Sequence, residues 1–257
     1  MKTSVLNIRY IASKEVRTYL ASPMAYVVAA AFLAITGFFF VASVSGPFSE
    51  ATIRGFTAGA IFFMIFLSPA LTMRLLAEEQ KLGTLELLLT SPLREVEIVI
   101  GKFIASFVIL LIMLALTLYY VVVLFIYGVP DVGPILTGYL GMILYGSATL
   151  AVGLAASAIT SNQLVALVVG AGILTALTVT DFIAQRVSGI AAHVLNGFQL
   201  GSSFSNLDIH NFGVAQSGHF ADFARGIISL QDVTYYIALT GVFLLTTVVL
   251  LEARRWR

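Results

Sequence analysis

Residues able to do chemistry are sparse in this chain. Among its 257 residues are 14 Lys or Arg, 13 Asp or Glu, three His and no Cys. The lack of cysteine excludes disulfides, thiolate metal sites and thiol nucleophiles. His193, His210 and His219 share one stretch with Asp208 and Asp222. Their spacings match no metal-ligand motif, so solvated loop residues are expected there. Gly101-Lys102 is followed by Phe103, and Val96 stands where a phosphate loop needs its first glycine. The chain is therefore expected not to hydrolyse a nucleotide by itself, and it carries no catalytic constellation. The largest group of charges lies in 74–102, with Arg74, Glu78, Glu79, Lys81, Glu86, Arg94, Glu95, Glu97 and Lys102.

The elements that position these residues follow from composition. Hydrophobic residues make up 59% of the chain and charged residues 11%, with a mean hydropathy of +0.99. Soluble domains run near ~45–50% apolar and ~25% charged, so this chain belongs in a membrane. The run from Met24 to Pro47, and those at Gly55–Met73, Phe103–Val129, Gly133–Thr180 and Val233–Leu251, hold no ionisable residue. Gly133–Thr180 is too long for one crossing and is divided by the polar turn Thr160-Ser161-Asn162-Gln163. Six spans are predicted, near Met24–Val44, Gly55–Met73, Phe103–Tyr127, Ile135–Ser157, Leu164–Ile183 and Val233–Leu251. Each must be a helix, because backbone amides in lipid need internal partners. The continuous apolar runs do not alternate as barrel strands would. Gly55 and Gly59, and Gly170 with Gly172, read as helix-packing positions.

Charge orients the spans. With the N-terminus inside, the cytoplasmic segments hold Lys2, Arg9, Lys14, Arg17, Arg74, Lys81, Arg94, Lys102, Arg254, Arg255 and Arg257, and the other side only Arg54, Arg186 and Arg225. That asymmetry places both termini in the cytoplasm. Tyr26, Tyr119, Tyr127, Tyr235 and Trp256 fall near span ends, as interfacial anchors do. No span carries an ionisable residue at its middle, which disfavours ion-coupled carriage and intramembrane proteolysis.

Three segments of this single 1–257 domain do not span. In 1–22, Val5, Ile8, Ala12, Val16 and Tyr19 recur at helical spacing, with basic Arg9, Lys14 and Arg17 elsewhere. That is an amphipathic helix for the cytoplasmic interface, ended by Ser22-Pro23. In 74–102, Gly83 should stop a helix, Thr84 should cap a short one, and Ser91-Pro92 should start the next. Leu85, Leu87, Leu88 and Leu89 nearly surround the short helix, so it needs something to bury against. In 184–232, Val187–Leu200 and Gly218–Leu230 suggest short helices at the outer leaflet, the second joining Phe220, Phe223, Ala224 and Ile227. Thr36, Ser68, Thr72, Thr117 and Thr178 are either pathway-lining groups or, more commonly, helix-packing ones.

The stretch PALTMRLLAEEQKLGTLELLLTSPLREVEIVIGKF, Pro69–Phe103, resembles the ABC-2-type permeases, specifically the gliding-motility-associated GldF-like subfamily. Glu78-Glu79, Gly83–Leu88, Pro92 and Gly101-Lys102 carry the resemblance, helped by SPMAYVV at 22–28, ITSNQ at 159–163 and HFADFARGIISLQDVTYY at 219–236. It implies a type-2 ABC exporter-like, all-α membrane protein. Six transmembrane helices would be joined by an N-terminal interfacial helix, a cytoplasmic coupling helix between spans 2 and 3, and short extracytoplasmic helices between spans 5 and 6. It implies two copies of a separate ABC ATPase, which bind ATP and Mg, and a second permease in a homo- or heterodimer. The ATPase-docking residues would be Glu78, Glu79, Lys81, Gly83, Thr84, Leu85, Glu86, Leu87 and Leu88. This chain itself would bind no cofactor, metal or nucleic acid. It would sit, in contact with membrane lipid, in the bacterial cytoplasmic (inner) membrane. Pathways free of charge suit an apolar or lipid-like cargo. The alternative is an ATPase-linked anchor passing mechanical force to an extracytoplasmic partner protein without transport.

Overall fold

The computed structural model describes residues 2–45, 52–91, 93–184 and 218–255, together with 197 and 200. Among them the chain is all-helical: α1 (Lys2–Ala21), α2 (Pro23–Val44), α3 (Arg54–Lys81), α4 (Thr84–Thr90), α5 (Glu95–Tyr127), α6 (Val132–Ile159), α7 (Gln163–Ala184), α8 (Ala221–Arg225) and α9 (Leu230–Arg255). Six of these, α2, α3, α5, α6, α7 and α9, are long and apolar enough to cross a membrane. They coincide with the six predicted runs. Pro23 opens α2 at its first turn, where a missing N–H costs nothing.

The two central helices, α3 and α6, are buried along most of their length, whereas only a small share of α2, α7 and α9 is buried. Small residues allow the close approach. A Cβ on Gly153 of α6 would lie 2.2 Å from the Thr72 hydroxyl and 3.1 Å from the Pro69 backbone of α3. Gly55 and Gly59 of α3 likewise admit Ser43 and Phe39 of α2. Gly170 of α7 packs on Pro69, while Gly172 faces open space. The intramembrane hydroxyls are satisfied locally: Ser68 shares a 2.7 Å hydrogen bond with Thr149, and Thr36, Thr72, Thr117 and Thr178 each donate to a carbonyl one turn back. All five are buried within one chain, which supports their packing role.

Two of the helices that outrun a bilayer flank α4. At 1.5 Å per residue, the 28 residues of α3 and the 33 of α5 span about 42 and 50 Å, against a hydrocarbon core of ~30 Å. The surplus carries both helices past the predicted span limits at Met73 and Phe103, toward α4.

The outer segment differs from expectation where it is described. Instead of one amphipathic helix over 218–230, α8 has five residues and ends at Gly226, whose φ of 92° is left-handed. Phe220, Phe223 and Ala224 are buried, but the break sends Ile227 out to 54% exposure. The buried side of α8 is turned to the bundle. It packs on the first half of α6, where Thr137 donates to the Phe223 carbonyl at 2.6 Å and Gly141 leaves room for both phenylalanines. His219 is likewise no solvated loop residue. Its Nδ1 lies 2.6 Å from Asp232, and its ring stacks on Tyr235 at 4.0 Å. His193, His210, Asp208 and the proposed helix over Val187–Leu200 fall outside the described residues, apart from a buried Leu200 that accepts from Tyr236 at 2.8 Å. Among the described residues, no three carboxylate or imidazole groups gather as a metal-ligand set.

Candidate functional site

The site is built where α3 and α5 overrun the spans. α3 continues unbroken from the apolar run to Lys81, then stops at Gly83, whose φ of 71° suits the residue that lacks a Cβ. Gly83 itself occupies the N-cap of α4. The Thr84 hydroxyl therefore does not cap α4 as expected; it points backward and donates to the Glu79 carbonyl at 3.3 Å, satisfying the end of α3. Glu86 lies in the first turn of α4, favourable at the positive end of the helix dipole. Ser91 ends α4 rather than starting α5, because its hydroxyl donates back to the Leu88 carbonyl at 2.5 Å. α5 begins at Glu95, with Glu95 and Glu97 in its first turn.

The side chain of Leu89 lies outside the described residues, and the other leucines of α4 divide into two groups. Leu85 is 4% exposed and joins the main core, and Leu88 is half-buried. Leu87 is 72% exposed, and Leu82, just before the break, is 67% exposed. Lys81, Gly83, Thr84 and Glu86 are also exposed. So the stub is not apolar all round: one side is anchored in the chain, and the opposite side offers Leu82 and Leu87 with a cation and an anion beside them.

Behind this tip lies a charge cluster that sequence spacing did not reveal. The Lys102 ammonium, 1% exposed, is 2.9 Å from Glu15 of α1 and 2.7 Å from Glu79 of α3. One lysine on α5 thus ties three helices together. Glu79 faces inward, and its second oxygen is buried without a partner among the described residues. Glu78 pairs with Arg74 at 3.0 Å, and Arg74 also reaches the Ser22 hydroxyl at 3.0 Å. Asn7 donates to Glu97 at 3.0 Å. That bond, and one from Ser4, hold the Glu97 carboxyl below the usual glutamate range. Tyr19 donates to the Leu71 carbonyl, and Ile11 packs where Gly101 has no side chain.

α1 therefore packs on α5 and α3 with Asn7, Ile8, Ile11, Ala12, Glu15 and Tyr19. Val16 packs on the core as well, so Ile8, Ala12, Val16 and Tyr19 face inward as helical spacing predicts; Val5, 66% exposed, is the exception, and Glu15 shares the inner face. Lys102 supplies the partner of Glu15 on that face. Arg9, Lys14 and Arg17 are exposed on the outer side.

A second clamp joins α3 to the end of α6. The Ser157 hydroxyl accepts from Leu76 N at 3.2 Å and Ala77 N at 3.0 Å, and contacts the Met73 carbonyl at 3.1 Å. Gln80 donates to the Ala158 carbonyl at 3.0 Å. Arg254 of α9 donates to the Ile159 carbonyl at 2.9 Å. These contacts gather α1, the ends of α3 and α6, α4, the start of α5 and the end of α9 at one end of the bundle. Arg9, Lys14, Arg17, Arg74, Lys81, Arg94, Lys102 and Arg254 all lie there, whereas Arg54 and Arg225 lie at the other.

At that end the α4 tip is held from behind by ion pairs and by Leu85, with its other side exposed. A comparison with curated proteins finds no match to the sequence. A family model described as ABC-2 family transporter protein matches residues 47–249, which include five of the six long helices, α4 and the whole of 74–102. Membership of that family makes the chain a permease subunit, associating with an ABC ATPase and with a second permease. The chain belongs to the ABC-2 transporter family.

Proposed function

We propose that this permease docks its ATPase through 78–88, works in the bacterial inner membrane with both termini cytoplasmic, and belongs to the GldF-like branch. The carrying observation is the α4 tip. It exposes Leu82 and Leu87 beside Lys81 and Glu86, while Leu85 and the Lys102 cluster fix it to the ends of two spanning helices. An exposed apolar pair on a braced stub at the cation-rich end fits a cleft in a cytoplasmic ATPase. Within the docking segment the residues divide their work. Lys81, Gly83, Thr84, Glu86 and Leu87 face the partner. Leu85, Leu88, Glu78 and Glu79 pass its movement to α3 and α5.

ATP and Mg bind on the partner. Closure of two ATPase copies displaces the two tips, and a permease pair rocks between inward- and outward-open states. Buried hydroxyls and uncharged spans suit an apolar or lipid-like cargo moved outward. The test is gentle extraction of the tagged chain and assay of the co-purifying ATPase, compared with Glu86→Arg/Leu87→Asp. Co-purification with the parent and its loss in the variant support the docking. An ATPase that stays bound to the variant excludes this tip as the contact. An activity stimulated by an extracytoplasmic protein, and by no lipid or small molecule, favours the force-transmitting anchor over transport.

A further inference from the structure

We propose that the outer face of α1 is a docking surface for anionic phospholipid of the leaflet nearest α4, an inference that rests on the membrane placement proposed above. Its cations have no use inside the chain. Arg9, Lys14 and Arg17 are exposed and make no ion pair among the described residues, while the one acid of α1, Glu15, is consumed by Lys102. The outer face is therefore cationic with no compensating carboxylate on its own helix.

Its apolar residues point to lipid rather than to a protein. Leu6 lies between the basic residues at 58% exposure and Tyr10 at 82%. Only Ser22 separates α1 from the spanning helix α2, and the Tyr26 hydroxyl of α2 bonds the Leu20 carbonyl of α1 at 2.8 Å, which fixes that corner. Leu20, Met24 and Val27 are all exposed, so the apolar surface of the span continues without a gap onto α1. A helix leaving the bilayer at such a corner lies among the headgroups. There apolar side chains dip toward the acyl boundary while Lys and Arg extend their charged ends to phosphates. Each such cation raises affinity for an anionic surface roughly fivefold. Because Glu15 on the inner face of the same helix meets the Lys102–Glu79 cluster, lipid held on α1 steadies the helix that braces the coupling tip.

Trp256 is the single tryptophan of the chain, so Trp256→Phe with Tyr10→Trp leaves one fluorophore on this face. The full chain is reconstituted in phosphatidylcholine vesicles containing a minor fraction of brominated phosphatidylglycerol, or the same fraction of brominated phosphatidylcholine. We expect quenching several-fold stronger from the anionic quencher, weakening with salt. Adding Arg9→Gln, Lys14→Gln and Arg17→Gln should equalise the two quenchers while keeping both. Equal quenching in the parent overturns the anionic preference. No quenching by either lipid overturns the surface altogether and means that protein covers it. Because this readout needs no ATPase, failure of the docking proposal leaves it intact, and the reverse holds too.

Discussion

Replacing Lys102 by Met should release α1 from the bundle while leaving the spans folded. The ammonium is 1% exposed and sits 2.9 Å from Glu15 and 2.7 Å from Glu79. Met keeps the apolar stem and removes the charge, so two carboxylates are left sharing a site without a cation. Removing one partner of a buried pair costs about 3–5 kcal/mol. The two glutamate side chains retain 14% and 19% exposure, so water relieves part of that, and about 3 kcal/mol is expected. At ~1.4 kcal/mol per decade, the attachment of α1 weakens by roughly two orders of magnitude. The absence of cysteine supplies the assay: Ala12→Cys places a single thiol at a position 8% exposed on α1. Maleimide labelling of that thiol should accelerate by about the same factor when Lys102→Met is added. Glu15→Gln/Lys102→Met/Glu79→Gln should recover most of the protection, because neutral side chains carry no uncompensated charge. Labelling that stays near the parent rate in Lys102→Met would falsify the idea that this cluster holds α1.

Other expectations follow from the same contacts. Gly153→Ala should lower the unfolding temperature in detergent by the effect of about 1–3 kcal/mol of overpacking, since its Cβ would meet Thr72 at 2.2 Å, and Thr72→Ala should return part of it. Ser157→Ala should destabilise by about 1–3 kcal/mol and speed hydrogen exchange at Leu76 and Ala77, whose amides it accepts from. Leu85→Ala should cost about 2–4 kcal/mol, while Leu87→Asp, at a position 72% exposed, should leave the unfolding temperature unchanged and still abolish ATPase retention. Glu97, held low by Asn7 and Ser4, contributes stability that is complete above the unfolded glutamate range and is lost as pH falls through its lowered folded value. Asn7→Leu should therefore move the acid limb of an unfolding-midpoint profile, taken from pH ~6 to ~3, toward higher pH.

The spans were legible because lipid imposes a rule on sequence: about twenty apolar residues, helical, with cations biased to one side. The break at Gly83 was legible for a similar reason, since few residues but glycine end a helix in the left-handed region. The Ser91-Pro92 boundary misled, because serine is equally able to close a helix by bonding the carbonyl three residues back, and here it does. The apolar face of α1 is legible too, since Ala12, Val16 and Tyr19 pack inward where helical spacing puts them. Periodicity does not reveal that Glu15 on that face has a partner, because Lys102 lies 87 residues away. Lys102 gave one faint signal: a lone lysine at the mouth of an apolar run must find a counter-charge or snorkel. The Ser157 clamp gave none, because serine in an apolar helix is common and its partners are backbone groups of another helix.

The docking of the α4 tip is tested most directly by photo-crosslinking in intact cells. One chain carries a photoreactive residue at Leu87, 72% exposed on the tip, and a second carries it at Val129, 98% exposed just beyond the far end of α5. The tip position should yield an adduct with an ABC ATPase, and Val129 should yield none. An ATPase adduct from Val129, or none from Leu87 while an ATPase co-purifies with the chain, would contradict the account.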